Sequence, residues 1–466
     1  MNLLLTCNKC QNSEKIHQIQ PMMICSNCNE KLHLNHILNR KFIHNKKFKE
    51  EPPNVWKYLN NLPIKSKITL NEGGTPLRIS SIGTKIGLDV KIKDETRNPT
   101  GSFLDRGTTL EISVLKEMNH NEPKSAIISE LALSLSAYCA SAKSQCVIFV
   151  PKGKESSLSQ NRLHQLISYG AKIDFVLKNT SIPENYHHFK TNNTLFLEGL
   201  KTCGFEIADQ LNWNLPNNII IPFGNGTNLY ALYQAIKELI HVGLIKKSQM
   251  PKIHGVTIST ENGNNNSRLS LLDKDTIAPE LSPESPSYFD EAMNAISESD
   301  GTLIKVTNND LIHAVSILAS NDGIFASTSG AASIAGLLSL EKRKIRKNQS
   351  FVCIVTGSGG LGEITPKQKI MVSQGITHDF KSKNKIEIKI GKTKQQILKL
   401  LKKEPDYAYN LKKRLENKSQ KIDISTLYQH LNELESAFLI TKTKAESFMG
   451  RPVRLYYSLT ISGKKL

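Results

Sequence analysis

Lys93-Asp94-Glu95-Thr96-Arg97-Asn98-Pro99-Thr100-Gly101-Ser102-Phe103-Leu104-Asp105-Arg106-Gly107 is the stretch that decides the fold of this 466-residue chain. A strand carrying Lys91 and Lys93 leads into it. On either side, residues 51–380 alternate short β-branched runs with Ala/Leu/Ser-rich helical stretches. Ala126-Ile127-Ile128, Cys146-Val147-Ile148-Phe149-Val150 and Ile219-Ile220-Ile221 each end near Pro, Gly or Ser. Strands of this kind interleaved with helices predict βαβ units in an α/β fold, with a largely parallel sheet buried on both faces.

Length alone predicts two to four structural units. Hydrophobic residues at 39% and charged residues at 22% describe a soluble globular chain. No apolar run approaches the roughly 20 residues of a membrane span. Met1-Asn2-Leu3-Leu4-Leu5-Thr6 is too short for the core of a secretory signal, so a cytoplasmic protein with reduced thiols is expected. The formal net charge of +19 is unevenly placed: residues 381–466 hold 20 Lys+Arg against 8 Asp+Glu, and residues 1–50 hold 8 against 3. Residues 51–380 hold 33 against 31. A nearly neutral body with two basic ends is the footprint expected of nucleic-acid binding. A lysine-rich composition serving solubility would give the same total. The composition divides the chain into residues 1–50, 51–380 and 386–466. The lysine-rich run from His378 to Lys385 reads as a linker, and Glu261 to Ser267 as an exposed loop.

Half of the eight cysteines fall in residues 1–50, as Cys7-x2-Cys10 and Cys25-x2-Cys28. Each pair offers two thiolates from a tight turn, and such a short segment needs a staple to fold. The spacing points to a structural tetrahedral zinc site in a ribbon-like module. His33 and His36 are alternative ligands, although the cysteines already complete a shell. Cys139, Cys146, Cys203 and Cys353 are scattered and read as small buried residues.

The Lys93–Gly107 stretch, preceded by Asn71-Glu72-Gly73-Gly74-Thr75-Pro76-Leu77, resembles threonine synthase, a pyridoxal-phosphate enzyme of the tryptophan-synthase-β fold type. The resemblance continues through Lys201-Thr202-Cys203-Gly204-Phe205-Glu206-Ile207-Ala208, Pro222-Phe223-Gly224-Asn225-Gly226-Thr227-Asn228-Leu229, Asp322-Gly323-Ile324-Phe325 and Thr356-Gly357-Ser358-Gly359. It implies a two-subdomain fold-type II body with parallel sheets. It also implies that Gly224, Asn225, Gly226, Thr227 and Asn228 cradle the cofactor phosphate on backbone N–H groups. Thr356 then matches the hydroxyl near the pyridine nitrogen. Thr227 stands where a glycine is usual.

Three departures fall on the chemistry. Where the family carries the lysine that bonds covalently to the cofactor, this chain has Leu104, which has neither a nucleophile nor a titratable proton. The family's Ser-Ser-Gly-Asn loop is here Ile127-Ile128-Ser129-Glu130, and Glu130 would repel a substrate carboxylate unless protonated. Ser327-Thr328 stands where Glu-Pro is usual. No catalytic residue is assigned: Leu104 and Glu130 are degenerate positions, and pyridoxal phosphate is expected non-covalently at most.

From Ile390 the pattern changes to three short amphipathic helices and a hairpin. Lys394–Leu401 stops at Glu404-Pro405, Tyr407–Leu415 forms a second helix, and Asp423–Glu435 a third. Leu427, Leu431 and Leu434 line the core face of the third. Phe438–Lys442 and Val453–Thr460 read as strands around a tip containing Gly450-Arg451-Pro452. This order is that of a winged helix-turn-helix. Ser425-Thr426-Leu427-Tyr428, Leu431, Leu434-Glu435, Leu439-Ile440 and Tyr456-Tyr457-Ser458-Leu459-Thr460-Ile461-Ser462-Gly463 resemble PadR-like transcriptional regulators. The resemblance implies major-groove contacts from Ser425, Thr426, Tyr428 and Gln429, with Arg451 and Arg454 on phosphate or in the minor groove. The alternative is a winged helix used only for protein contacts, which so basic a module disfavours.

These readings converge on a homodimeric regulator that binds double-stranded DNA. Its degenerate body would sense a small-molecule effector, such as an amino acid, a phosphorylated metabolite or non-covalent pyridoxal phosphate. The alternatives are an active threonine synthase-type lyase and a non-catalytic scaffold partnering an active paralogue.

Overall fold

Ile219-Ile220-Ile221 and Phe351-Val352-Cys353-Ile354-Val355 are apolar on both faces of a strand, and all are buried. They form the centre of a six-stranded sheet ordered Leu303–Val306, Lys252–Ile258, Asn218–Pro222, Ser350–Val355, Asp89–Asp94, Leu77–Ile79. Its strands pair in parallel except at the edge, where Leu77–Ile79 runs antiparallel to Asp89–Asp94. A second, four-stranded sheet is wholly parallel, in the order Lys172–Val176, Cys146–Pro151, Lys124–Ile127, His187–His188. Helices follow the strands, as parallel pairing requires. The computed structural model describes residues 4–7, 9–15, 23–34, 46–60, 62–152, 160–177, 182–183, 185–258, 276–341, 349–361, 392–402, 404–417, 422–436, 439–446 and 454–459. The linker expected at 378–385 and the loop expected at 261–267 lie outside these residues. The chain divides into two units, Met1–Glu363 and Ile364–Leu466.

Helix Asp105–Glu117 continues the deciding stretch and is buried along most of its length, packed against Thr194–Gln210 and Glu130–Ala142. The crossing with Thr194–Gln210 is tight: a Cβ on Gly199 would lie 2.2 Å from the Arg106 carbonyl oxygen. Only glycine permits that approach.

The N-terminal segment forms a three-stranded antiparallel sheet, Ser13–Lys15, Leu4–Cys7, Leu32–His33. It seats on helix Thr194–Gln210. Leu34 N–H donates to Glu198 Oε1 (3.2 Å), and Lys201 Nζ donates to the Leu34 carbonyl (3.3 Å). Leu5, Met23, Leu32 and Leu34 join the body's hydrophobic core.

The second unit has helices Lys392–Leu401, Ala408–Glu416 and Ile424–Ser436, with strands Ile440–Glu446 and Arg454–Leu459. Ile397, Leu411, Leu415, Leu427, Leu431, Leu434 and Tyr457 form its core. One element differs from expectation. Tyr407 belongs to a short strand, Asp406–Tyr407, that pairs with Tyr457 and Tyr456, so the helix expected from Tyr407 begins at Ala408. Among the described residues, no helix is long and apolar enough to cross a membrane.

Candidate functional site

The deciding stretch is held rigid by buried charge. Arg106 is fully buried and its guanidinium donates to Glu95 at 2.6 and 2.7 Å and to Glu206 at 3.0 and 3.2 Å. Lys93 is also buried. Its Nζ donates to the Thr75 carbonyl (2.7 Å), to Gln210 Oε1 (2.9 Å) and to Glu206. Burial works to raise the Glu206 carboxyl, but Arg106 and then Lys93 outweigh it and hold it down at about 2. Lys93 is therefore committed to the core. Lys91 pairs with Asp89 instead (3.2 Å). Neither lysine of this strand replaces the amine that Leu104 lacks.

Leu104 is buried at the start of helix Asp105–Glu117. Phe103 N–H donates to the Thr356 carbonyl (3.0 Å), and Ser358 N–H donates to the Gly101 carbonyl (2.8 Å). These bonds clamp the loop against the end of strand Ser350–Val355, with Thr356 buried. Asp105 is anchored by Thr100 N–H (2.8 Å), Thr100 Oγ1 (2.7 Å) and Ser134 Oγ (2.6 Å). Burial pushes its carboxyl up to about 6 against the pull of those hydrogen bonds.

Ile127-Ile128-Ser129-Glu130 faces this loop. Ile128 is buried and Ile127 is 38% exposed. Glu130 opens helix Glu130–Ala142, and its Oε2 accepts from Ser102 Oγ at 3.4 Å. A Cβ built on Gly357 would stand 3.6 Å from the same oxygen and 3.3 Å from Ser327 Oγ. Burial, with repulsion from Glu280 second, pushes the Glu130 carboxyl up to about 7. Leu104, Glu130 and Ser327 thus meet around Ser102 and Gly357, with Leu104 N–H donating to Ser102 Oγ at 3.4 Å. Ser327 Oγ caps Gly330 N–H (3.0 Å), and Thr328 Oγ1 donates to the Ile277 carbonyl (3.1 Å).

Gly224-Asn225-Gly226-Thr227-Asn228 lies between strand Asn218–Pro222 and helix Thr227–His241. Gly224 and Gly226 have φ of +49° and +79°. A Cβ on Gly226 would fall 2.3 Å from the Tyr288 carbonyl oxygen, so that glycine is obligatory. Asn225 is occupied: its amide donates to Thr191 Oγ1 (3.3 Å) and its carbonyl accepts from Tyr288 N–H (3.0 Å). Thr227 is 4% exposed, and its Oγ1 has no hydrogen-bond partner. A buried, unsatisfied hydroxyl on the first residue of a fifteen-residue helix is suited to an anionic oxygen, which the first-turn N–H groups and the helix dipole also favour. Asn228 is half-buried one residue further on.

The Sγ atoms of Cys7, Cys10, Cys25 and Cys28 all lie within 4.8 Å of one another. Three of the separations are 3.4 to 3.5 Å, near the ~3.8 Å edge of a tetrahedron with metal–sulfur bonds of about 2.3 Å. The two knuckles repeat one geometry. Gln11 N–H donates to the Cys7 carbonyl (2.9 Å) and Asn29 N–H to the Cys25 carbonyl (3.0 Å), and Gln11 and Asn29 both take positive φ. The donor set fits zinc. His33 is buried at the body and is not in the cluster, while His36 lies outside the described residues. Cys139, Cys146, Cys203 and Cys353 are buried and free, as the sequence suggests.

In the second unit, helix Ile424–Ser436 buries Leu427, Leu431 and Leu434 and exposes Ser425, Thr426, Tyr428 and Gln429. Gln429 Nε2 donates to Glu433 Oε1 (3.1 Å), and Glu433 also accepts Lys394 Nζ (2.6 Å). Glu433 is a neighbour of the polar face that periodicity alone did not single out. Arg454 begins strand Arg454–Leu459, and Arg451 lies outside the described residues.

Residues 68–357 match the family described as pyridoxal-phosphate dependent enzyme, and residues 397–466 match the transcriptional regulator PadR-like family. The threonine synthase of Methanocaldococcus jannaschii is 30% identical over 380 residues, 77% of this chain and 92% of that protein. That of Methanosarcina acetivorans is 32% identical over 356 residues, 72% and 86% respectively. Among solved structures, the processed form of threonine deaminase isoform 2 from Solanum lycopersicum superposes with a TM-score of 0.53 at 17% identity. The superposition covers 65% of this chain and 88% of that one, and shows the shared fold.

Against the pyridoxal-phosphate group itself, the residues divide. The unsatisfied Thr227 hydroxyl and the glycine turn before it fit the phosphate end. Leu104, Lys93 held by Glu206, and the Glu130 carboxyl do not fit covalent attachment at the other end.

Proposed function

The chain belongs to the pyridoxal-phosphate dependent enzyme family and carries a PadR-like domain at its C-terminus, and from that premise we propose that it is a DNA-binding transcriptional regulator whose enzyme-like body no longer turns over substrate. The observation that carries this reading is the face of helix Ile424–Ser436. Three leucines anchor it, leaving Ser425, Thr426, Tyr428 and Gln429 exposed on the solvent side. Such a face suits a recognition helix entering the major groove, with Arg451 and Arg454 of the hairpin on the backbone or in the minor groove.

The loss of turnover rests on Leu104. A reaction of this family needs an amine at that position to hold the cofactor and move protons, and the nearest strand lysines are engaged elsewhere. The unsatisfied Thr227 hydroxyl at the start of helix Thr227–His241 supports retention of a binding role. The body senses an amino acid or phosphorylated metabolite, holds zinc on Cys7, Cys10, Cys25 and Cys28, and dimerises so that two winged helices span a palindromic site. Effector binding then biases their spacing.

Gel-shift titration of the full chain on the DNA upstream of its own gene tests this. Specific binding that weakens in the Ser425→Ala/Gln429→Ala variant is the expected result. Absence of specific binding up to micromolar protein would overturn it. Stoichiometric pyridoxal phosphate that survives dialysis and is reduced by borohydride onto a single lysine would overturn the non-catalytic reading separately.

A further inference from the structure

A cavity of about 460 Å³ lies between the N-terminal sheet and helices Thr194–Gln210, Thr227–His241 and Phe289–Glu298. That volume is in the range of small-molecule sites. None of its lining residues belongs to the deciding stretch, to Ile127–Glu130 or to Gly224–Asn228.

Its charge decides what it can hold. Glu198, Glu238, Glu291 and Glu298 line it, against Lys201 and Lys237. Lys201 is already shared between Glu198 (2.7 Å) and Glu238 (2.8 Å), and both its own side chain and that of Glu198 are almost fully buried. Lys31 pairs with Glu291 from the N-terminal segment. Glu298 accepts the Tyr233 hydroxyl and meets Lys237 only at 4.0 Å, with 60% of its side chain exposed. The lining is thus net negative in a chain whose formal charge is +19. An anion entering here would face carboxylates with no uncommitted buried cation to receive it.

A second observation points to a ligand. His33, 6% exposed, lines the cavity, and its Nδ1 has no hydrogen-bond partner. The nearest carboxylate oxygen, on Glu198, is 3.7 Å away, and Nε2 meets the Tyr230 hydroxyl at 3.5 Å. A buried ring nitrogen without a partner is costly unless something else supplies one. The tyrosine faces attract positive charge, and the Lys237 ammonium already lies 5.2 Å from the Tyr233 ring centroid. Tyr230 stacks on Tyr288 at 5.4 Å, and the Lys31 ammonium already sits 3.9 Å over the Tyr288 ring.

We propose that this cavity binds a small organic cation, a primary ammonium or guanidinium on a short aliphatic chain. Glu298 supplies the charge at the mouth, the Tyr230 and Tyr233 rings flank the chain, and His33 Nδ1 accepts from an N–H. The site goes beyond the regulator reading and does not depend on it.

Isothermal titration of the full chain with agmatine is the test, with glutamate and inorganic phosphate as anionic controls. Saturable one-site binding of agmatine alone is expected. Glu298→Gln should weaken it about threefold, the scale of one solvent-exposed ion pair. Lys237→Ala removes the competing cation and should tighten it. Both positions are largely exposed, and unchanged melting curves establish that the variants fold. No saturable heat up to millimolar agmatine, equal binding of phosphate, or unchanged affinity in Glu298→Gln each overturns the proposal.

Discussion

Replacing Arg106 by alanine would leave Glu95 and Glu206 buried with Lys93 as the remaining cation beside Glu206 and none bonded to Glu95. Breaking a buried ion-pair network by removing one partner costs roughly 3–5 kcal/mol, so the Arg106→Ala variant should lose most of its denaturation midpoint. Arg106→Lys should not rescue it, because one ammonium cannot reproduce a planar fork that bonds two carboxylates at once. Glu130 makes the opposite kind of prediction. Its carboxyl is pushed up to about 7, so the folded state binds more protons than the unfolded chain between the ordinary carboxyl range and that value. Stability contributed by the protonated group is present at low pH and is lost as pH rises through this window. Glu130→Gln should therefore flatten the fall in melting temperature between about pH 5 and pH 8, and a parallel decline in both proteins would contradict it. Some slope should remain, since Asp105 is held up to about 6 with the same sign. Leu104 and Glu130 were legible in sequence because a strong motif fixes their register. The fate of Lys93 was not, because Glu206 and Gln210 reach it from a helix more than a hundred residues away.

Periodicity served the elements unevenly, and the second unit shows why. The spacing of Leu427, Leu431 and Leu434 placed a helix and its buried face correctly. Truncating the middle one, Leu431→Ala, should destabilise this unit by about 2–4 kcal/mol, read as an earlier denaturant transition in far-ultraviolet circular dichroism. The exposed Ser425→Ala change on the same helix should leave that transition within about 0.5 kcal/mol. Equal effects would mean the helix buries a different face. Strand Asp406–Tyr407 escaped the same reading. Two residues carry no period, and their pairing with Tyr456 and Tyr457 is set by a strand some fifty positions later. The cysteine knuckles are the contrary case: their pairing is also long-range, but thiolate chemistry marks each half locally, so the spacing alone brought Cys7, Cys10, Cys25 and Cys28 together.

At the scale of the whole molecule, charge is unevenly distributed. The 20 Lys+Arg against 8 Asp+Glu of residues 381–466 contrast with 33 against 31 across residues 51–380. That asymmetry is legible in the amino-acid sequence alone. The cavity at the seam of the N-terminal sheet is not, because Glu198, Lys237 and Glu298 converge only once three helices pack. If the basic end binds DNA through phosphates, affinity should fall linearly on a log–log plot against salt, with a slope of about −0.9 per phosphate neutralised. The two kinds of contact then separate cleanly. Arg451→Ala/Arg454→Ala should reduce the slope by about two per DNA-binding unit and weaken specific and non-specific DNA alike. Ser425→Ala/Gln429→Ala should leave the slope unchanged and erase the preference for the specific site. Should the arginine pair alter preference and the helix pair alter the slope, the roles assigned to hairpin and helix would have to be exchanged, since base edges carry sequence information and phosphates carry only charge.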